Sequence, residues 1–338
     1  MAIQRKRVPP GRGLVAVSVP AVEPEQVEEA PAGPRVTVIL SAYNQAPALR
    51  RCLRALEASA ERPSIEIIVM DNGSWDDTPE VEQEFPEVTF LRLPKYFGRT
   101  KALNIASRTA HADLLFFLSP DVEVTPPVVS ALAARMEAQP ETLAAACPLL
   151  VDADGNQAPV YFHLPTRAAL YRVWSNSGTG DAHGLEPEAV DPTAETATVE
   201  YARFEAFMVT KYFVRGLNYL DERFGESWAD AEVCWQIRRG AKKIVVLPQV
   251  KAVRHDAETA ESDRAGSVRA VLASDCGVGA AAFVAKHHGF FAGLLFRLRL
   301  ILTALGRTLT FQQPGYNFSL FTSLLSGQKV DGTQTVTL

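Results

Sequence analysis

An excess of charge of either sign is missing from this sequence. Its 338 residues carry 34 basic and 39 acidic side chains, for a net charge of -5 and a pI near 5.8. That balance gives no electrostatic reason to expect nucleic acid as a partner. Cysteine is also scarce. Cys52, Cys147, Cys234 and Cys276 lie far apart, with no CxxC and no Cys/His metal spacing, so they read as buried thiols in a reducing compartment. No stretch offers the ~20 predominantly apolar residues that a spanning helix needs. Arg5, Lys6, Arg7 and Arg12 precede only a short apolar run before Pro20, too little for a signal peptide. Residues 1–34 read as a disordered, Pro-rich leader, and the body is expected to be cytoplasmic. Neither GxGxxG nor GxxxxGK[ST] occurs, so a nucleotide site here must use side-chain acids and a cation instead of a glycine cradle.

What is present begins at residue 35. A β-branched run over 36–40 ends in Ser41-Ala42-Tyr43-Asn44, where Asn44 is placed to cap the next helix and Pro47 falls in its first turn. Leu49, Cys52, Leu53 and Leu56 give that helix one buried face. A second strand over 65–70 runs into Asp71-Asn72-Gly73-Ser74, and acids 76, 77 and 80 suit a helix start. A third strand spans 88–93 and a third helix 98–109. The apolar run 114–118 is a fourth strand, buried on both faces, that breaks into Ser119-Pro120-Asp121-Val122-Glu123. Alternating strands and helices imply a doubly wound α/β sheet with right-handed crossovers. Open parallel sheets bind ligands beyond the carboxyl ends of their strands. Three such ends carry polar clusters, and a carboxylate there, Asp121, can hold a hard cation.

These segments, in this order, resemble family 2 glycosyltransferases of the GT-A fold, with a look of the bacterial rhamnosyltransferase-like members. The resemblance covers about residues 35–260. It rests on Val38-Ile39-Leu40-Ser41-Ala42-Tyr43-Asn44, Ile67-Ile68-Val69-Met70-Asp71-Asn72-Gly73-Ser74 and Leu118-Ser119-Pro120-Asp121-Val122-Glu123. It implies a GT-A mixed sheet flanked by helices, with a nucleotide half over about 35–125 and an acceptor half over about 126–260. Asp71 would read the nucleobase. Ser41, Tyr43, Asn44, Gly73, Arg99, Asn104 and Ser119 would line the nucleotide-sugar site. Asp121, with His255 of Val253-Arg254-His255, would sit at Mg²⁺ or Mn²⁺ on the diphosphate. In Ala229-Asp230-Ala231-Glu232 the matching catalytic residue is Asp230, at a helix start, as the base of an inverting displacement. The donor would be UDP-, dTDP- or GDP-linked, and the acceptor a saccharide or lipid-linked saccharide in cell-surface or cell-wall polysaccharide synthesis.

Simpler uses stand beside these. Asp230 could merely cap its helix, and Glu232 is a rival base that should point to another face. His255 is as compatible with a structural role as with metal contact. His287 and His288 read as surface residues. Trp174 and Trp228 suit packing better than sugar stacking. Three positions depart from the family pattern: Ser119 replaces an acid or amide, Ala229 a Glu, and Glu205 a glycine. They support an alternative, a catalytically inactive GT-A domain that acts as a scaffold in polysaccharide assembly. Residues 175–200, rich in Ser, Gly and Pro, read as a lid over the donor.

The C-terminal part, 261–338, reads as a helical extension. No acid occurs from 276 to 330, whereas Lys286, Arg297, Arg299, Arg307 and Lys329 remain. Phe291, Leu294, Leu295, Leu298, Ile301, Leu302 and Leu305 share one helical face. Two uses fit: a helix lying peripherally on the inner face of the cell membrane, or one packed on the catalytic domain or on a second copy as a homodimer.

Overall fold

A computed structural model describes residues 33–176, 184–255 and 266–330. The strands are β1 (Val36–Ala42), β2 (Ile65–Asp71), β3 (Thr89–Arg92), β4 (Leu114–Leu118), β5 (Val122–Val124), β6 (Leu143–Val151), β7 (Tyr161–Phe162), β8 (Ala197–Val199), β9 (Tyr201–Ala202), β10 (Ala206–Thr210) and β11 (Lys243–Arg254). The helices are α1 (Ala46–Glu57), α2 (Val81–Glu84), α3 (Arg99–Thr109), α4 (Val128–Ala138), α5 (Arg167–Ser175), α6 (Lys211–Gly216), α7 (Gly225–Arg239), α8 (Gly266–His288), α9 (Phe290–Leu309) and α10 (Pro314–Ser326). Residues 1–32 of the expected leader lie outside the described residues, as does the expected boundary near 261.

The main sheet runs β3-β2-β1-β4-β10-β6-β11-β5, with β8 on β11. β1 pairs in parallel with both β2 and β4, and β10 lies antiparallel between β4 and β6. The sheet is therefore mixed, as the family resemblance implied, and not the all-parallel sheet that alternation alone suggests. Its order reverses at β1, whose sequence neighbour β2 lies to one side and β4 to the other. The crevice beyond β1 and β4 is a topological switch point, where open sheets bind ligands. Residues 41–44 and 119–121 flank it.

Burial explains why these strands sit where they do. All five residues of β4 are buried, as are Val38, Ile39 and Leu40 of β1. Strands covered by helices on both faces carry continuous apolar runs, not alternating ones. α1 packs Leu49, Cys52, Leu53 and Leu56 onto the sheet as its spacing predicted. Its N-terminus is held differently from the expectation. Asn44 has φ of 51° and caps nothing; the Ala46 N–H donates to Asp76 Oδ2 at 3.2 Å and the Gln45 N–H to Thr78 Oγ1 at 3.3 Å. The orphan donors of α1 are thus met from the next crossover.

The C-terminal helices are built into the body. The Trp228 indole of α7 donates to the Cys276 carbonyl of α8 at 2.9 Å. Gly279 meets Phe224 so closely that a Cβ would stand 2.3 Å from the Phe224 oxygen. Trp174 and Trp228 are fully buried and serve packing. All four cysteines are free and buried. Of the expected lid, residues 177–183 lie outside the described set. The part that follows is fastened along β7, where His163 and Glu188 exchange backbone hydrogen bonds with Glu186 and Tyr161.

Candidate active site

On the β1 and β2 side of the crevice, polar side chains build a rigid ledge. The Asp71 carboxylate, 3% exposed, accepts the Ser74 N–H at 2.9 Å. The Ser74 hydroxyl accepts the Asn44 N–H at 3.0 Å, and Asn44 Oδ1 accepts the Trp75 N–H at 2.9 Å. Gly73 makes the turn possible. Its φ is +82°, and a Cβ would lie 2.4 Å from the Lys95 carbonyl carbon. The Tyr43 ring packs on Tyr96 at 4.5 Å, and Ser41 lies half-buried one turn of the strand earlier. Trp75, 71% exposed, projects from this ledge.

Arg99 opens α3, and its guanidinium donates to the Phe204 carbonyl across the crevice. Asn104, expected beside the nucleotide, is instead a buried clamp. Its amide donates to the Leu220 carbonyl at 2.8 Å and Glu222 Oε1 at 3.1 Å, and its oxygen accepts the Leu220 N–H at 2.9 Å. With both ends engaged it joins α3 to the approach to α7.

Asp121 stands beyond β4 and is 8% exposed. Its Oδ1 is buried with no hydrogen-bond partner among the described residues, and Oδ2 lies 3.8 Å from Arg254 Nε. Ser119 is set beside it by a backbone bond from its N–H to the Glu205 carbonyl at 2.8 Å. His255 meets Asp121 only through its backbone, at 2.9 Å; its ring Nε2 lies 3.0 Å from Glu123 Oε2. Among the described residues no group of three His, Cys, Asp or Glu side chains converges as a metal-ligand set. A buried carboxylate oxygen without a partner does fit a cation held by one protein ligand, with phosphate oxygens and water completing its shell.

Asp230 lies in the second turn of α7, five residues past its start, so it is not a cap. It is 5% exposed, and the Tyr201 hydroxyl is hydrogen-bonded to it. Burial pushes its pKa above the ordinary carboxylate value, while the charges of Arg203 and Arg99 pull the other way. The rival Glu232 points away, into the α7–α8 seam. There it accepts from Lys286 Nζ at 2.6 Å and meets His287 Nε2 at 2.5 Å. The His287 ring is sandwiched by Trp235 and Phe283 at 4.4 and 4.5 Å, with its side chain 4% exposed, so it is a core residue. His288 is exposed, as expected.

Two arginines complete the site. Arg254 Nε is 2.9 Å from Glu205 Oε2, and Arg203 Nε is 3.6 Å from Glu205 Oε1. Glu205, 7% exposed, is thus the shared anion of two guanidiniums, one reaching toward Asp121 and the other charging the surroundings of Asp230. Sequence reasoning missed this cluster: Arg203 and Glu205 lie in the short connection between β9 and β10, where no strand or helix periodicity applies.

Residues 37–184 match the family model described as Glycosyl transferase family 2. An N-acetylglucosaminyltransferase of Mesorhizobium japonicum is 31% identical over 134 residues, 37% of this chain and 32% of that protein. The glycosyltransferase AglE of Haloferax volcanii is 38% identical over 93 residues, 26% of this chain and 31% of its own length. The chain spans about a third of the length of these curated relatives. Two solved structures share the architecture. Residues 1–349 of TarS from S. aureus, in complex with UDP-GlcNAc, align at a TM-score of 0.50 and 14% identity over 87% of this chain and 92% of that one. GalNAc-T7 with UDP, GalNAc and Mn²⁺ aligns at 0.52 and 15% over 65% of this chain and 43% of that one. Residues 37–184 thus match the Glycosyl transferase family 2 model, and the described residues adopt a mixed α/β fold of the GT-A type.

Proposed function

We propose that this protein transfers a sugar from a nucleotide-sugar donor to a saccharide or lipid-linked acceptor, with inversion, and uses a divalent cation. The observation that carries the reading is the buried pair of acids, Asp121 with an unpartnered oxygen and Asp230 with a raised pKa, both near enough to Arg203 to act on its charge. Asp71 and the ledge of Tyr43, Asn44 and Ser74 suit the base and ribose. Asp121 would hold Mg²⁺ or Mn²⁺, which when bound supplies positive charge to the departing diphosphate. Arg254, fixed by Glu205, offers a second cation on that side. Asp230 takes the proton of the attacking hydroxyl, and its raised pKa makes it a better acceptor than a solvated carboxylate. The Tyr201 hydroxyl would orient it, and the charge of Arg203 acts on it.

The relatives point the donor toward a UDP-linked N-acetylhexosamine rather than rhamnose: the Mesorhizobium japonicum relative is an N-acetylglucosaminyltransferase, and the aligned structures hold UDP-GlcNAc or UDP with GalNAc. A thermal-shift screen of UDP-, dTDP- and GDP-sugars with and without Mn²⁺ tests this. A ligand of the folded state raises the melting temperature through RT ln(1 + [L]/Kd). UDP-GlcNAc with Mn²⁺ is expected to give the largest shift, and Asp121→Ala to abolish it. The departures at Ser119, Ala229 and Glu205 favour a second reading, a non-catalytic scaffold; binding of donor without nucleotide diphosphate release would support it.

A further inference from the structure

Helix α9 is apolar on two opposite sides. Gly293, Phe296, Leu300 and Ala304 are buried toward the body of the protein. A Cβ on Gly293 would stand 2.4 Å from the Ala285 Cβ of α8, so this side is in close contact. At about 100° per residue, the other side presents Phe291, Leu294, Leu295, Leu298, Leu302 and Leu309, which are 76, 52, 66, 48, 56 and 69% exposed. The apolar face expected from the sequence is therefore not the one that packs. Single surface leucines are ordinary, but a continuous stripe along a 20-residue helix is not.

The flanks of the stripe are basic. Arg297 lies on one side, where it donates to the Leu324 carbonyl at 2.9 Å, and Arg299 on the other, 3.8 Å over the Tyr171 ring. Both keep their charge while their positions are fixed. No acid occurs between 276 and 330. No helix among the described residues is long and apolar enough to cross a membrane.

We propose that the outward face of α9 docks on an anionic lipid surface, with the helix lying in the plane of the interface. An apolar stripe bordered by cations is the build of such a helix. Charge selects lipid over a second copy of this chain. A two-fold dimer sets a patch against itself, which would bring the arginines of one α9 toward those of the other with no acid in the segment to separate them. Anionic headgroups meet the same cations with opposite charge.

Flotation of the full chain with vesicles tests the proposal. Two compositions are used, equal parts phosphatidylglycerol and phosphatidylcholine, and phosphatidylcholine alone. The protein is expected to float with the anionic vesicles, to do so less as salt is raised, and to bind phosphatidylcholine more weakly. A Leu295→Asp/Leu302→Asp variant should keep the native melting temperature, because both side chains are exposed. Its partitioning should fall by about a hundredfold, roughly tenfold per leucine. No flotation of the native chain with either vesicle would overturn the proposal, as would a folded double variant that floats equally well. A native dimer that the double substitution splits, without flotation, would assign the face to a second copy instead.

Discussion

Asp230→Asn should separate catalysis from stability in opposite directions. The substitution keeps shape and one acceptor oxygen for the Tyr201 hydroxyl and removes only the charge. Loss of a general base lowers turnover by about 10²–10⁴-fold, which at about 1.4 kcal/mol per decade raises the barrier by roughly 3–5 kcal/mol. Stability should move the other way. Burial raises the Asp230 pKa despite Arg203 and Arg99, so the folded state releases this proton at higher pH than the unfolded chain does. Between the two values the folded state binds more protons, and the native protein loses stability as pH rises through that window. The asparagine variant has no such loss. It should therefore melt higher than the native chain at neutral pH, with the difference vanishing below the ordinary carboxylate value of about 3.9.

The assay is a pair of measurements on each protein: nucleotide diphosphate release at saturating donor and Mn²⁺, and calorimetric melting across an acid-to-neutral pH series. Donor affinity should be unchanged, since Asp121 and the Asp71 ledge are intact. An Asp230→Asn protein that turns over at the native rate would refute the assignment of the base. A variant that melts lower at neutral pH would refute the electrostatic account, because the attraction of Arg203 and Arg99 would then exceed the burial penalty.

Three further substitutions probe the surrounding frame. Gly73→Ala forces a Cβ to 2.4 Å from the Lys95 backbone at φ of +82°; left-handed strain of about 1–2 kcal/mol and overpacking of about 1–3 kcal/mol should show as a lower urea midpoint, and an unchanged midpoint would mean the turn is not tight. Glu232→Gln breaks a buried pair with His287 and the part-exposed Lys286, so about 2–3 kcal/mol of stability should be lost with turnover per folded molecule retained; a turnover loss like that of Asp230→Asn would make Glu232 the base. Glu205→Gln frees Arg254 to turn on Asp121, and competition on the order of 1–2 kcal/mol for a part-exposed pair should raise the Mn²⁺ needed for half-maximal donor binding by about 5–30-fold; calorimetric Mn²⁺ titration with no change would dissociate Arg254 from the metal side of the site.

Most of the nucleotide half was legible because local pattern and topology agree there. β4 is a continuous apolar run and β1 and β2 are largely apolar and β-branched, and the polar residues that end them fall at the switch point by the ordinary rule for open sheets. What could not be read was decided by distant neighbours. Asp76 and Thr78 cap α1 in place of Asn44 because a turn thirty residues away folds over its start. Asn104 became a clamp on Leu220, and His287 a core residue on Glu232, through partners 116 and 55 positions away. Periodicity showed that α9 has an apolar stripe but not which way it faces. Two opposite faces are apolar, and the smaller side chains of Gly293 and Ala304 permit the closer approach to α8.

The choice between enzyme and scaffold turns on what the fold retains at its own expense. A carboxylate oxygen of Asp121 left without a partner in a buried site costs about 1–3 kcal/mol, and a compact structure could remove that penalty with an asparagine or serine paired to nearby backbone. Asp230 is held against its own burial, with Tyr201, Arg203 and Arg99 gathered around it, although nothing in the packing of α7 needs a charge at that position. Glu205, one of the three departures from the family pattern, is not inert either: it lies 2.9 Å from Arg254 Nε and 3.6 Å from Arg203 Nε. A scaffold that only binds donor could use the open carboxylate edge but has no use for a poised base, whereas the proposed transfer from a diphosphate donor would use both. Strain of this kind concentrates where chemistry is done. The charged departure at 205 therefore sits beside the two acids that the proposed transfer would use.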